Sequence, residues 1–161
     1  MAPWVDGLRG RGLAAIAIDL PHGRAERAVP AFQSAVAGRS HVVLGGHSFG
    51  GRVASLAAAG MLASGQPVVG LVLLSYPLHR PGTPETWVER TAHWPLLTCP
   101  VLLLSGESDP FARPALLQEA VALLPDARLI NYPRVGHGLL PVLDQALDVV
   151  VDFIRLRGRR R

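Results

Sequence analysis

Gly46, His47, Ser48, Phe49 and Gly50 set a serine between two glycines in the G-x-S-x-G pattern, by which a sharp strand-to-helix turn presents a nucleophilic hydroxyl. A serine hydroxyl is a poor nucleophile until a base takes its proton and a third group orients that base. In chain order such partners are expected as Asp or Glu and then His, each after a later strand. Both types occur where that order needs them. Asp109, in VLLLSGESDPF, follows the apolar run Val101–Ser105 on a glycine-containing turn. His137, in NYPRVGHGLL, follows Arg128–Tyr132 and lies between Gly136 and Gly138. Glu107 competes with Asp109 for the acid position, and Asp109 is preferred because it lies further past its strand. Phe49, directly after the serine, is the expected source of one backbone N–H for an oxyanion. His47 is expected to support the turn. With Tyr76 and His79, which follow Val68–Ser75, it completes a set of candidate substrate-binding residues around the pocket mouth.

The elements that must hold these residues are legible as short apolar runs alternating with helical patterns, which argues for βα units on a parallel sheet buried on both faces. Strands are expected at Leu13–Leu20, His41–Gly45, Val68–Ser75, Val101–Ser105 and, weaker and edge-like, Arg128–Tyr132. Helices are expected at Pro3–Arg11, at Ala25–Ala37 with an interruption at Pro30, at Phe49–Ser64 and at Pro114–Leu124. The last helix, Leu139–Leu156, sets Leu139, Leu143, Leu147, Val150 and Ile154 on one face. Asp144, Asp148 and Asp152 form a stripe on the other, read as a solvated face with no metal-ligand role. Tyr76–Pro100 is expected to be a loop with one short helix near Glu85–Ala92. Loops of this length are commonly functional.

Composition excludes several classes. With 49% apolar and 17% charged residues, 161 residues are enough for one domain with a real core. No apolar run approaches the roughly 18 residues of a membrane span. The single cysteine, Cys99, excludes a disulfide framework, and the expected location is cytoplasmic. The pI of about 10.5 has a local source. All sixteen basic residues are arginines, five of them at positions 155–161, and without those five the net charge is −1. The body is therefore not basic, and Arg155–Arg161 is expected to be a solvated tail after a domain at 1–154, with no nucleic-acid partner.

The blocks GGHSFGGRVAS, GLVLLSYPLHRPGTPE and PVLLLSGESDPF resemble the α/β-hydrolase superfamily, over about Pro3 to Phe153. Within it they look like the branch of bacterial dienelactone-hydrolase-like proteins related to the testis-expressed hydrolase-like proteins and a regulatory subunit of the NSL histone-acetyltransferase complex. The resemblance implies a three-layer αβα fold on a mostly parallel sheet. It also implies a Ser–Asp–His site at Ser48, Asp109 and His137, with no cofactor and no metal. The chain opens inside the first helix of that fold, so the strand between Leu13–Leu20 and His41–Gly45, with its glycine-rich oxyanion loop, is expected upstream of Met1. Pro21–Gly23 (PHG) could replace that loop, or could be the ordinary loop after its strand; the second is preferred. Two functions follow. One is a hydrolase acting on a small ester or thioester. The other is a catalytically weak scaffold that self-associates or binds a partner through unpaired sheet edges.

Overall fold

The computed structural model describes residues 2–158. Four parallel strands form one sheet in the order β1 (Val43–His47), β2 (Gly70–Leu74), β3 (Val101–Gly106), β4 (Ala127–Tyr132). Sequence order and spatial order coincide, so each crossover steps to the neighbouring strand. The strand chemistry follows position. GLVLL and VLLLSG are buried at every residue, as strands covered on both faces must be. VLGGH and ARLINY keep partly exposed positions because they are the two edges.

Helices cover both faces. Residues of α2 (Ala25–Val36), α3 (Phe49–Ala63) and α5 (Pro114–Val121) share one apolar core with Leu71, Leu73, Val101 and Leu103. Residues of α1 (Ala2–Gly10) and α6 (Leu143–Gly158) pack on the alternate side chains Val72, Leu74, Leu102 and Leu104. Successive side chains of a strand point to opposite faces, so one Leu/Val-rich run supplies both cores. The 76–98 loop carries more helix than expected: α4 (Trp87–Thr91) between 3-10 turns at Pro84–Thr86 and Trp94–Leu96.

Several expectations need correction. Leu13–Leu20 is not a strand: it has alternating exposure over much of its length but no regular secondary structure, and it joins no ladder. Its ties run instead to α1, where Leu13 N–H donates to Leu8 C=O and Arg9 Nε–H to Ala15 C=O. A cavity of about 530 Å³ lies between this segment and β1, lined by residues such as Leu13, Ile18, Phe32, Val43 and Gly45. β1 begins and ends two residues later than expected, reaching His47 itself. Pro30 does not interrupt α2. Leu139 has φ of 55°, and α6 starts only at Leu143, after a 3-10 turn at Leu140–Val142.

The aspartate stripe is exposed as expected, and two of its three carboxylates, Asp144 and Asp148, are paired. Arg11 Nε–H donates to Asp148 at 2.7 Å, and its Nη2 reaches Asp144 at 3.3 Å, joining the chain after α1 to α6. Arg155 and Arg157 belong to α6 rather than to a tail, and Arg155 donates to the Arg11 carbonyl. Arg159–Arg161 lie outside the described residues. Among the described residues no helix is long and apolar enough to cross a membrane.

Candidate active site

Ser48 stands at the junction of β1 and α3 with φ 52° and ψ −120°, a backbone that L-residues rarely adopt and that costs on the order of 1–3 kcal/mol. The local sequence over-determines it. The Ser48 N–H is tied to Leu74 C=O of β2 at 2.8 Å, continuing the ladder to the last possible residue. Beyond it the helix turns back hard on the strand. A Cβ on Gly46 would collide with the carbonyl group of Gly50, and one on Gly51 would stand 2.8 Å from the Gly46 oxygen. These glycines are present because strand and helix backbones pass within contact distance. Phe49 opens α3, and an N–H in a first helical turn has no carbonyl four residues back to receive it.

Asp109 and His137 come from the ends of β3 and β4 and meet Ser48 in one line. Ser48 Oγ–H donates to His137 Nε2 at 2.7 Å. On the other side of the ring, His137 Nδ1–H donates to Asp109 Oδ2, also at 2.7 Å. The carboxylate can only accept, so the Nδ1 proton is fixed there and Nε2 is left with its lone pair toward the serine. Asp109 has a fully buried side chain, and its second oxygen accepts the Phe111 N–H at 2.8 Å. The Phe111 ring lies 4.8 Å from the His137 ring. Glu107 is exposed in the preceding turn, and Asp109 is the carboxylate that reaches the imidazole. An imidazole in this arrangement can accept a proton from the hydroxyl while the carboxylate stabilises the resulting charge.

The three residues expected to bind substrate have other attachments. His79 is 1% exposed. Its Nε2 accepts the Arg113 N–H and its Nδ1–H donates to Arg80 C=O, so both ring nitrogens are used on backbone. Tyr76 is buried against Trp94, and its hydroxyl donates to Arg90 C=O at 2.8 Å. Both were expected at a pocket mouth and both instead anchor the 76–98 loop. His47 is half-buried and donates from Nε2 to the His137 carbonyl at 2.8 Å, a contact that residue spacing alone could not reveal. Burial holds His47 below the ordinary histidine value.

Sequence reasoning also missed a polar pair beneath the loop. Ser55 Oγ–H donates to Arg52 C=O, so the same oxygen accepts from His93 Nε2–H at 2.8 Å. Burial lowers His93 to about 4. Neither residue belongs to a recognisable pattern. Cys99 is buried, which raises its thiol to about 11 and disfavours the thiolate. Among the described residues no three His, Cys, Asp or Glu side chains gather as metal ligands would.

Pro21–Gly23 follows Leu20, whose Cδ1 lies near the start of α3, 3.9 Å from where a Gly50 Cβ would stand. The turn is exposed, with φ of 114° at Gly23.

The family model for the alpha/beta hydrolase domain matches residues 21–147, spanning all four strands and the three site residues. The chain belongs to the α/β-hydrolase family. Solved α/β folds agree with it in architecture. The monoacylglycerol lipase of Paleococcus ferrophilus superposes with a TM-score of 0.79 at 15% identity, over 96% of this chain and 88% of that one. Est1E of Butyrivibrio proteoclasticus, solved with ferulic acid, gives 0.79 at 17% identity, over 99% and 83%. A protein of Thermoplasma acidophilum described as a predicted CIB-like hydrolase gives 0.66 at 21%, over 84% of this chain and 61% of that one, so the chain spans less than two thirds of its length. At these identities the likeness concerns the fold. A 63-residue stretch, 39% of the chain, is 33% identical to the polyketide synthase ThaQ of Burkholderia thailandensis, and spans 3% of that protein.

Proposed function

We propose that this α/β-hydrolase is a serine hydrolase that cleaves a small carboxylic ester or thioester without a cofactor. The observation that carries the reading is the 2.7 Å contact from Ser48 Oγ to His137 Nε2, with Asp109 on the far side of the same ring. Ser48 attacks the acyl carbon as His137 takes its proton. His137 then hands that proton to the departing alcohol or thiol, leaving an acyl group on Ser48. Water, deprotonated by His137, releases the acid and restores the hydroxyl. Phe49 N–H is the donor we assign to the developing oxyanion. Removing one such donor lowers turnover by about 10²–10³. Kinship with the dienelactone-hydrolase-like branch and a cytoplasmic setting belong to the same proposal; the sequence blocks support the first and the lone buried thiol the second.

The test is covalent labelling by a fluorophosphonate together with turnover of p-nitrophenyl acetate. Labelling at Ser48 that disappears in Ser48→Ala, with turnover lost in parallel, is the expected result. Labelling that survives the substitution refutes the assignment.

One observation favours a second reading, a catalytically weak hydrolase-like scaffold. Strand hydrogen bonding alternates, and Ser48 N–H points to β2, so the backbone groups of Val43, Gly45 and His47 face away from β2, toward the edge where the apolar cavity opens. An edge of this kind suits an extended segment of a second copy or partner. A concentration-independent monomer with esterase turnover argues against this reading; a dimer without turnover favours it.

A further inference from the structure

The loop that carries His137 has little backbone stiffness of its own, because glycines lie on both sides of the residue at 136 and 138. Its placement depends on attachments from elsewhere. Two of these are backbone bonds made upstream: Ser108 N–H donates to Val135 C=O at 2.9 Å and Glu107 N–H to Tyr132 C=O at 3.0 Å. A third is the Phe111 ring against the imidazole. The fourth is His47, whose Nε2–H donates to the carbonyl of His137 itself, across 90 residues of chain.

His47 is also the last residue of β1, bonded covalently to Ser48. One side chain therefore joins the backbone that carries the hydroxyl to the backbone that carries the imidazole. The two histidine rings sit 5.2 Å apart at 58°, close but not stacked, so the link is the hydrogen bond rather than ring contact. A carbonyl only accepts, which requires the proton on Nε2. Burial favours the neutral ring, and His137 and Asp109 are among the titratable groups acting on it.

We propose that His47 is a positioning residue for the reaction assigned above: its Nε2–H holds the His137 carbonyl and so sets the approach of His137 Nε2 to Ser48 Oγ. The proposal rests on that reading of Ser48 and His137 but is separable from it. A displacement of about 1 Å at such a site can cost on the order of 10²-fold in rate. Loss of the bond is therefore felt in kcat, whereas substrate binding, to which His47 contributes no assigned contact, is preserved.

Two substitutions separate donation from packing. His47→Gln keeps an N–H donor at similar reach, and His47→Leu keeps bulk without a donor. The expected result is that His47→Leu lowers kcat for p-nitrophenyl acetate by about 10- to 100-fold with KM changed less than threefold. His47→Gln is expected to recover at least half of the loss on a logarithmic scale. A second readout needs no turnover: the ring ¹⁵N resonances of His137 report the Ser48 hydrogen bond at Nε2. They are expected to shift toward a free imidazole in His47→Leu and to stay near wild type in His47→Gln. If the wild type neither turns over nor labels, the hydrolase reading fails and the resonances alone decide the role of His47. Unchanged resonances in His47→Leu overturn the proposal. So do equal losses in the two variants, which would make His47 a packing residue.

Discussion

Gly106 lies so close beneath Val135 that a Cβ on the glycine would collide with the Val135 carbonyl and stand 2.7 Å from the Gly136 oxygen. The end of β3 and the His137 loop thus share one backbone-on-backbone contact, one residue from the imidazole. Gly106→Ala must push that loop outward. We expect a folded protein whose kcat falls by about 10²-fold or more, measured with p-nitrophenyl acetate alongside the far-UV circular dichroism spectrum. Full activity with an intact fold would show that the loop accommodates the methyl group and that its position is not set here.

Asp109→Asn separates geometry from charge. The amide fills the same volume, and its oxygen can still take the Phe111 N–H. An amide N–H facing Nδ1 forces the imidazole proton onto Nε2, where it meets the serine hydroxyl instead of accepting from it. The expected loss is about 10⁴-fold in kcat, with little change in thermal stability. A loss below about tenfold would mean that Asp109 does not orient the base, and would direct attention back to Glu107.

How far the sequence could be read depends on what each residue is tied to. That Ser48, Asp109 and His137 come together was legible because each candidate lies in a short pattern that follows a strand, and β2 and β3 were legible because unbroken apolar runs suit strands covered on both faces. Pattern also promised a strand at Leu13–Leu20. Alternation states which side chains turn inward but not whether a neighbouring backbone is there to pair, and here none is. The attachments of Tyr76, His79, His47 and His93 were not legible for a related reason. Apart from the Arg80 carbonyl beside His79, their partners are carbonyls, an amide and one hydroxyl 14 to 90 residues away, and nothing in the local sequence marks them.

The unpaired state of Leu13–Leu20 has a direct consequence for hydrogen exchange. Its amides lack ladder partners, apart from the Leu13 N–H that caps back to Leu8. They are expected to exchange by orders of magnitude faster than those of Leu71–Leu74 and Leu102–Leu104, which lie in the doubly covered centre of the sheet. Two-dimensional NMR after dilution into D₂O measures both sets at once. Protection of Ala14–Leu20 equal to that of β2 would show that this segment is paired in solution, for instance to a second chain.

His93 links pH to the anchoring of the 76–98 loop. Burial lowers its folded-state value to about 4, against 6.5 for the ordinary group, while its Nε2–H donates to Ser55. The unfolded chain therefore binds this proton more readily than the folded one between those two values. Stability from this group is complete above pH 6.5 and is lost as pH falls toward 4. Full burial would make the loss about 3 kcal/mol, and the partial exposure of the ring reduces it to about 1–2 kcal/mol. His93→Gln keeps a donor for Ser55 and removes the titration. Denaturant unfolding at pH 7.5 and pH 5 is expected to show wild type losing about 1 kcal/mol more than the variant over that interval. Parallel losses in the two proteins would place the acid sensitivity elsewhere and leave the Ser55–His93 bond as a contact without a titrating role.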